Sequence, residues 1–538
     1  MQANLDFVDY LIILLYFAAV FFIAWWVTGR EKSTRETTTG YFLAGRNAGW
    51  FVVGASLFAS NIGSEHLVGL AGTGADSGVA VAQFEILASL ILLILGWVFV
   101  PFYLKSQVYT MPEFLERRYS SGALTYLSWI SIIGYVLTKI SVTIAAGGIV
   151  FETLMGLNFW TGAFIVVTAT GIYTIFGGLR AVMYTDLMQM FVLILGAVVV
   201  TITGLYAIGG WDSLYETAGS SFFDLWKPMS DPNFPWTGIL FGAPILGVWY
   251  WCTDQFIVQR VLSAKNIDHA RRGTIFGGFL KILPLFIFVI PGVIAHSLAK
   301  SGQITLAQPD HALPTLIGAL LPIGFRGLVV AGLLAALMSS LSSVFNSCST
   351  LITLDIYKKL RPDAQERRLV LVGQLATGVL VIFGFLWIPL IKNISGTLYQ
   401  YLQSVQAYIS PPIAVVFLLG IFIKRLNGRG AMASLLTGFV LGMARLVAEL
   451  NKDSLSGLLY DFADINFLHF AVFLFAVCSA VLIIVSLMAP APADEKLKDL
   501  TFSTTSRDKV SSLWRRQDYW LSVVLVFVVG LVWMYFTG

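Results

Sequence analysis

The sequence predicts an all-α polytopic membrane protein with 14 transmembrane helices, and three observations carry that prediction. Apolar residues make up 57% of the 538 and charged residues only 12%, with a mean hydropathy of +0.80, a balance that a soluble protein of this length does not sustain. The apolar stretches run about 20 residues or longer without strict alternation, which suits helices crossing a bilayer and not a β-barrel. Basic residues gather in alternate loops, as the positive-inside rule requires of a chain threading a membrane.

Taken in order, the expected spans lie at about 7–27, 48–72, 79–104, 122–153, 159–177, 181–208, 237–260, 272–298, 326–357, 368–390, 396–422, 429–449, 467–488 and 517–537. The first lacks a basic leader and a small-residue cleavage site, so it reads as a retained helix. Arg30, Lys32, Arg35 and Arg46 fall in the first loop, Lys105, Arg117 and Arg118 in the third, and Lys265, Arg271 and Arg272 in the seventh. Lys358, Lys359, Arg361, Arg367 and Arg368 follow in the ninth, and Lys424, Arg425 and Arg429 in the eleventh. Even loops are acidic or sparse, so both termini are expected outside. The net charge of +4 reflects this topology and gives no reason to expect nucleic acid. Cys252, Cys348 and Cys478 all lie in apolar segments, a pattern that predicts neither a disulfide framework nor a metal cluster. Short external loops without cysteine point to a plasma membrane of the bacterial inner-membrane type. The longest hydrophilic stretch, about 490–517, is too small for an appended catalytic module.

Residues 59–64 read Ala-Ser-Asn-Ile-Gly-Ser, a polar interruption of the second span. A helix opened inside the bilayer exposes backbone groups that must line a cavity or bind something, and secondary transporters build ion and substrate sites in this way. Glu65, His66, Glu85, Lys139, Asp186, Asp254 and Lys281 are ionisable residues within spans, which is costly and points either to structural pairs or to a polar pathway. The ninth span carries Ser339, Ser340, Ser342 and Ser343 on little more than one turn. These hydroxyls fit two roles: bonding the preceding turn and packing helices closely, or facing a hard cation that wants several oxygen ligands. In the second role, the carbonyls of Ala59, Ile62 and Ala336 with the hydroxyls of Ser339 and Ser340 make a five-oxygen cage for Na⁺. Trp249-Tyr250-Trp251 and the Gln- and Tyr-rich stretch around Tyr401 and Gln403 suit stacking and hydrogen bonding to a polyhydroxylated ligand, and aromatic residues are equally expected at membrane interfaces.

Several ordered stretches resemble the sodium/solute symporter family, and within it the sodium/glucose cotransporter branch. They are G-A-S-L-F-A-S-N-I-G-S-E-H (54–66), G-L-A-G-T-G-A (69–75), W-Y-W-C-T-D-Q (249–255), L-M-S-S-L-S-S-V-F-N-S (337–347) and P-P-I-A-V-V-F-L-L (411–419). Y-T-I-F-G-G-L-R-A (173–181) and G-I-F-I-K-R-L-N-G-R-G-A-M-A-S (420–434) are similar to the family signatures. The resemblance, spanning about 40–490, implies a LeuT-type core of two inverted five-helix repeats, spans 2 to 6 and 7 to 11. It divides the chain into 1–47, first helix and loop; 48–208, first repeat; 209–422, second repeat; and 423–538, three added helices. It further implies a sugar site of Asn61, His66, Glu85, Lys281 and Gln403, with Tyr250 as an inner gate beside Trp251, and the sodium site already described. Asp186 with Ser340, Ser342 and Ser343 resembles a second sodium site of members that move two sodium ions. Gly247, Val81, Gln406 and Gln400 depart from the glucose-transporting pattern, and Glu65 in G-S-E-H is similar to the inositol-transporting branch.

The expected function is therefore sodium-driven symport of a hexose or related polyol by alternating access, with Na⁺ as the coupling ion and the lipid bilayer as surroundings. An ion channel would need a filter loop, which is not evident; a sugar-gated sensor would keep the site without transport. The sequence contains no nucleophile and base pair or metal motif of an enzyme.

Overall fold

The computed structural model describes residues 5–29, 37–63, 65–391, 398–504 and 512–538. Among the described residues, helix forms most of each expected span. Among the described residues, ten helices are long and apolar enough to cross a membrane uninterrupted. The difference from fourteen has physical causes. Phe159–Ile208 is one 50-residue rod that bends at Gly178, where φ is 59° and ψ −165°, so it supplies two spans. A Cβ at Gly178 would lie 2.6 Å from the Tyr41 carbonyl oxygen, so both the backbone angle and the contact require glycine. The second span is split into Trp50–Asn61 and the helical turns of Glu65–Leu70 and Ala71–Ser77. The seventh is split at Asp254, between Val248–Thr253 and Gln255–Leu262. The tenth, Glu366–Ile391, runs into residues 392–397, which lie outside the described part.

Burial sorts the spans into centre and periphery. In the ninth, Phe325–Leu360, 94% of the most apolar window is buried, against 28% for Phe7–Gly29 and 22% for Leu513–Tyr535. The ninth is thus the central post, and the first and last spans turn Leu14, Leu15, Phe22, Trp25, Phe527 and Met534 outward, as helices in contact with lipid do.

Glycine lets the two halves of the split second span lie against the eighth, Ile267–Lys300. A Cβ at Gly54 would fall 2.6 Å from the Gly273 oxygen, and one at Gly292 would fall 2.0 Å from the Ala71 oxygen. Such close backbone approach is the usual use of small residues between membrane helices. At the same end of the molecule, Ala48 pairs with the segment after the seventh span through Ala48 N to Ser263 O, 3.0 Å, and Lys265 N to Ala48 O, 3.1 Å.

Polar residues tie helix ends together. Asp9, fully buried in the first span, accepts from the amides of Gly324 and Gly327 through Oδ1, each at 2.8 Å, and so caps the amino end of the central ninth span. Arg118 donates to the carbonyls of Gly420, Ile423 and Leu426 at 2.8–2.9 Å, closing the carboxyl end of the eleventh span. Read along the sequence as a topological charge, Arg118 also has this structural task. Arg30, Lys32 and Arg35 of the first loop lie outside the described residues.

Candidate functional site

The break of the second span creates the site. Helix Trp50–Asn61 stops because Ile62 turns extended, φ −73° and ψ 90°, which leaves carbonyls at the end of the helix without the amides that would have followed. Chain direction recovers through Glu65–Leu70, a wider i→i+5 turn carrying Glu65 and His66. Two more such turns face it: Val136–Ile140, with Lys139, and Val248–Thr253, with Tyr250 and Trp251. Turns of this kind recur at functional sites because they push side chains off the regular helical face.

Asn61, His66, Glu85, Tyr250, Trp251 and Gln403 line one cavity enclosing about 530 Å³ of atom-free space, part of it open to solvent. Lys281 is not in its wall; it is fully buried behind, donating to Asn61 Oδ1 and Glu85 Oε2. Glu85 Oε1 pairs with His66 Nε2 at 3.2 Å, and Asn61 Nδ2 donates to the Tyr250 hydroxyl at 2.9 Å. Lys139 Nζ donates to Glu65 Oε1 at 2.7 Å and to the Tyr250 hydroxyl at 3.3 Å. The Lys139 ammonium also lies 4.9 Å from the centre of the Tyr250 ring, and that of Lys281 5.3 Å from Trp251. Every charge here has an opposite or polar partner, as low-dielectric surroundings demand.

Tyr399 belongs to this wall and carries no distinctive sequence signal. Tyr399 accepts from Gln403 Nε2 at 2.7 Å and stands edge-on to His66 and Phe84, with ring centres 6.3 and 6.1 Å away. It lies one helical turn before Gln403, and that i, i+4 relation was the available clue. Gly247 and Gln406 are in the wall, whereas Val81 is buried elsewhere; the side chains of Gln400 and Tyr401 lie outside the described part.

A second, smaller space adjoins the first toward the end of the helices that carries the basic loops, and Lys139 and Gln406 belong to both walls. Beyond Tyr250, the Tyr135 hydroxyl bonds Asp254 Oδ1, and Phe256 N donates to both, at 3.2 and 3.1 Å. Asp254 caps the resumed helix of the split seventh span.

The serine run of the ninth span faces the break from its other side. Ser340 Oγ donates to the Ser60 carbonyl at 3.4 Å, and Ala59, Ile62 and Ala336 are all buried. Asp186 is fully buried and accepts from Ser339 Oγ at 2.5 Å and from Ser56 Oγ at 2.6 Å. Ser342 Oγ donates to the Ser339 carbonyl at 3.0 Å, and Ser343 Oγ accepts from the Arg260 guanidinium. Asp186 is thus bonded to Ser339 and Ser56, with Ser340 turned to Ser60.

Comparison with known proteins gives this geometry its context. Residues 41–438 match the family model described as "Sodium:solute symporter family". The human sodium/myo-inositol cotransporter is 39% identical over 93% of this chain and 76% of its own length. Sheep sodium/glucose cotransporter 1 is 39% identical over 92% of this chain and 81% of its own. Among solved structures, a Na⁺-coupled sialic acid symporter in a substrate-bound outward-open state matches with a TM-score of 0.77 at 23% identity, over 90% of this chain and 99% of that one. Mhp1, a nucleobase-cation-symport-1 family transporter, matches with a TM-score of 0.51 at 14% identity, over 85% of this chain and 97% of that one. The fold is accordingly the LeuT-type arrangement of inverted five-helix repeats, and its second and seventh spans are both split. With the broken-helix site, the serine-faced cradle and the match over 41–438, this multi-pass chain is a transporter that couples a solute to Na⁺, not an enzyme, and it belongs to the sodium:solute symporter family.

Proposed function

We propose that the protein imports a hexose or related sugar or polyol with sodium, by alternating access across the plasma membrane, with both termini outside. The observation that carries this reading is the cavity at the break. Asn61, His66 and Glu85 offer amide, imidazole and carboxylate groups at one wall, Gln403 at another, and the rings of Tyr250 and Trp251 supply stacking surface. In the structure these polar groups satisfy one another, with Lys281 holding Asn61 and Glu85 together. Ring hydroxyls, each both donor and acceptor, exchange for those internal bonds without leaving a charge unpartnered.

In this reading Asn61, His66, Glu85, Lys281 and Gln403 hold the sugar, and Tyr250 is the inner gate beside Trp251. Its hydroxyl accepts from Asn61 and Lys139, so ligand contact at Asn61 and opening toward the adjoining space are coupled through one oxygen. The first sodium ion is held by the carbonyls of Ala59, Ile62 and Ala336 and the hydroxyls of Ser339 and Ser340. A second ion uses Asp186 with Ser340, Ser342 and Ser343. The repeats are 48–208 and 209–422, preceded by 1–47 and followed by 423–538. The inner face is the one bearing the basic loops.

A myo-inositol substrate is the second reading, favoured by Glu65 in G-S-E-H and by the identity with the human sodium/myo-inositol cotransporter. Uptake in proteoliposomes, with and without a sodium gradient, across glucose, galactose, mannose, fucose and myo-inositol tests both. Saturable, sodium-dependent uptake of at least one hexose supports the first reading, and uptake of myo-inositol alone supports the second. Sodium-independent flux of all five would overturn the symport reading.

A further inference from the structure

Glu65 has a carboxylate oxygen that no bond in the sugar cavity accounts for. The residue is 1% exposed. Its Oε1 accepts from Lys139 Nζ, but Oε2 is buried without a hydrogen-bond partner among the described residues. A buried carboxylate oxygen left bare is costly and calls for a donor or a cation. Its position identifies which. A Cβ added to Gly63 would lie 2.2 Å from Glu65 Oε2 and 2.5 Å from Ser340 Oγ. The two oxygens therefore border the same small space beside Gly63, directly after the Ile62 carbonyl. Among the described residues, Ser340 Oγ is held by a long 3.4 Å bond to the Ser60 carbonyl, in which it donates, so its lone pairs are not used by that bond.

We infer that Glu65 supplies a carboxylate oxygen, Oε2, to the first sodium cradle and thereby links that cradle to the Tyr250 gate. The inference rests on the proposed assignment of Ala59, Ile62, Ala336, Ser339 and Ser340 to sodium. Carbonyls and hydroxyls alone give a neutral cradle. A carboxylate at its rim adds a full charge in surroundings where screening by water is weak, which strengthens the hold on a hard monovalent cation.

The same carboxylate is shared. With no ion at Oε2, the charge faces Lys139 Nζ at 2.7 Å and, more distantly, His66 Nδ1 at 4.0 Å. Sodium at Oε2 takes part of that charge, so the Glu65 hold on Lys139 weakens, and the ammonium shifts its bonding toward the Tyr250 hydroxyl 3.3 Å away. Tyr250 also accepts from Asn61. Sodium arrival thus tightens the closed gate on the sugar side, and its departure releases Lys139 back to Glu65. One carboxylate, one ammonium and one phenol carry the message, with no movement of helices needed to start it.

The test uses the full-length protein in lipid nanodiscs for ²²Na⁺ binding without sugar, and in proteoliposomes for sugar uptake at saturating sodium. The variants are Glu65→Gln, Glu65→Asp, Ser340→Ala and the pair Glu65→Gln/Lys139→Met, which removes both charges and keeps the buried site balanced should Glu65→Gln fail to fold. Glu65→Gln and the pair are expected to raise the sodium concentration for half-saturation tenfold or more. Glu65→Asp recovers most of that loss, and Ser340→Ala also weakens sodium. Ser340→Ala weakening sodium while Glu65→Gln and the pair leave it unchanged overturns the role of Glu65 and spares the cradle. Ser340→Ala without effect overturns the cradle assignment and this inference with it. A Glu65→Gln effect confined to sugar affinity, with sodium binding intact, places Glu65 among the sugar ligands and overturns the inference.

Discussion

Asn61 Nδ2 donates to the Tyr250 hydroxyl at 2.9 Å, which bonds the broken end of the second span to the wide turn of the seventh. Both spans are split among the described residues, and Asn61 and Tyr250 both line the cavity. Whatever displaces Asn61 from Tyr250 changes how these two spans meet.

Replacing Tyr250 by Phe is expected to separate binding from turnover. The ring stays for stacking, while Asn61 and Lys139 lose their shared acceptor. Turnover in proteoliposomes should fall at least tenfold with sugar affinity within about threefold of wild type, in keeping with loss of a gating bond of about 1.5–3 kcal/mol to a charged donor. Tyr250→Ala should lose both. Equal loss of affinity in the two variants would remove Tyr250 from the gate.

Glu85→Ala should abolish sugar uptake, because it also leaves Lys281 buried without its carboxylate. Gln403→Ala removes a neutral amide and is expected to weaken sugar affinity about tenfold, near the upper end for one hydrogen bond. Both should keep measurable sodium binding. Wild-type apparent sugar affinity in either would exclude that residue from the sugar site.

The sodium-to-sugar ratio is expected to be 2, and Ser342→Ala should lower it toward 1. Ser342 donates to the carbonyl of Ser339, whose hydroxyl is bonded to Asp186, so its loss loosens the oxygen set around that carboxylate. Reversal potentials in proteoliposomes measure the ratio directly. A wild-type value of 1 would end the second-site proposal.

Gly292→Ala is expected to destabilise the fold and block transport. Its methyl would fall 2.0 Å from the Ala71 backbone oxygen, which cannot move aside as a flexible side chain can. Overpacking of this kind costs about 1–3 kcal/mol, visible as a lower midpoint in thermal unfolding of the detergent-solubilised protein. An unchanged midpoint would show that the two helices are free to separate.

Arg118→Ala should lower the same midpoint through a different loss. Three carbonyls in and just after the last turn of the eleventh span would be left without the guanidinium that joins them, at about 1.5–3 kcal/mol for each charged bond. Arg118→Lys, with a single ammonium, should recover only part of this. Full recovery by lysine would mean that charge alone, and not the fork of donors, matters there.

Helix placement was legible because a bilayer forces long apolar runs and punishes charge, so all fourteen segments could be located by length and composition. The break after Asn61 was equally legible, since Asn61 and Gly63 interrupt an apolar run. The break at Asp254 was not: Cys-Thr-Asp-Gln has no glycine or proline, and the interruption comes from an aspartate that serves as a cap. Asp186 was visible as a buried acid, but its bond to Ser56, 130 residues earlier in the chain, depends on tertiary packing. Tyr399 was hidden for a related reason. Its aromatic ring is ordinary in a membrane span, and only the fold brings it against His66 and Phe84.

The buried Asp9 has a consequence for how the chain is made. It caps amides at Gly324 and Gly327, more than 300 positions downstream, so the first helix leaves the ribosome long before its partner exists. Until residues 324–327 emerge, that carboxylate holds only the nearby Asp6 amide through Oδ2 at 3.0 Å, and Oδ1 waits for the amides of the ninth helix. The cap therefore forms only after seven further spans have been made, an order of events that a chain split between its first and second helices would expose.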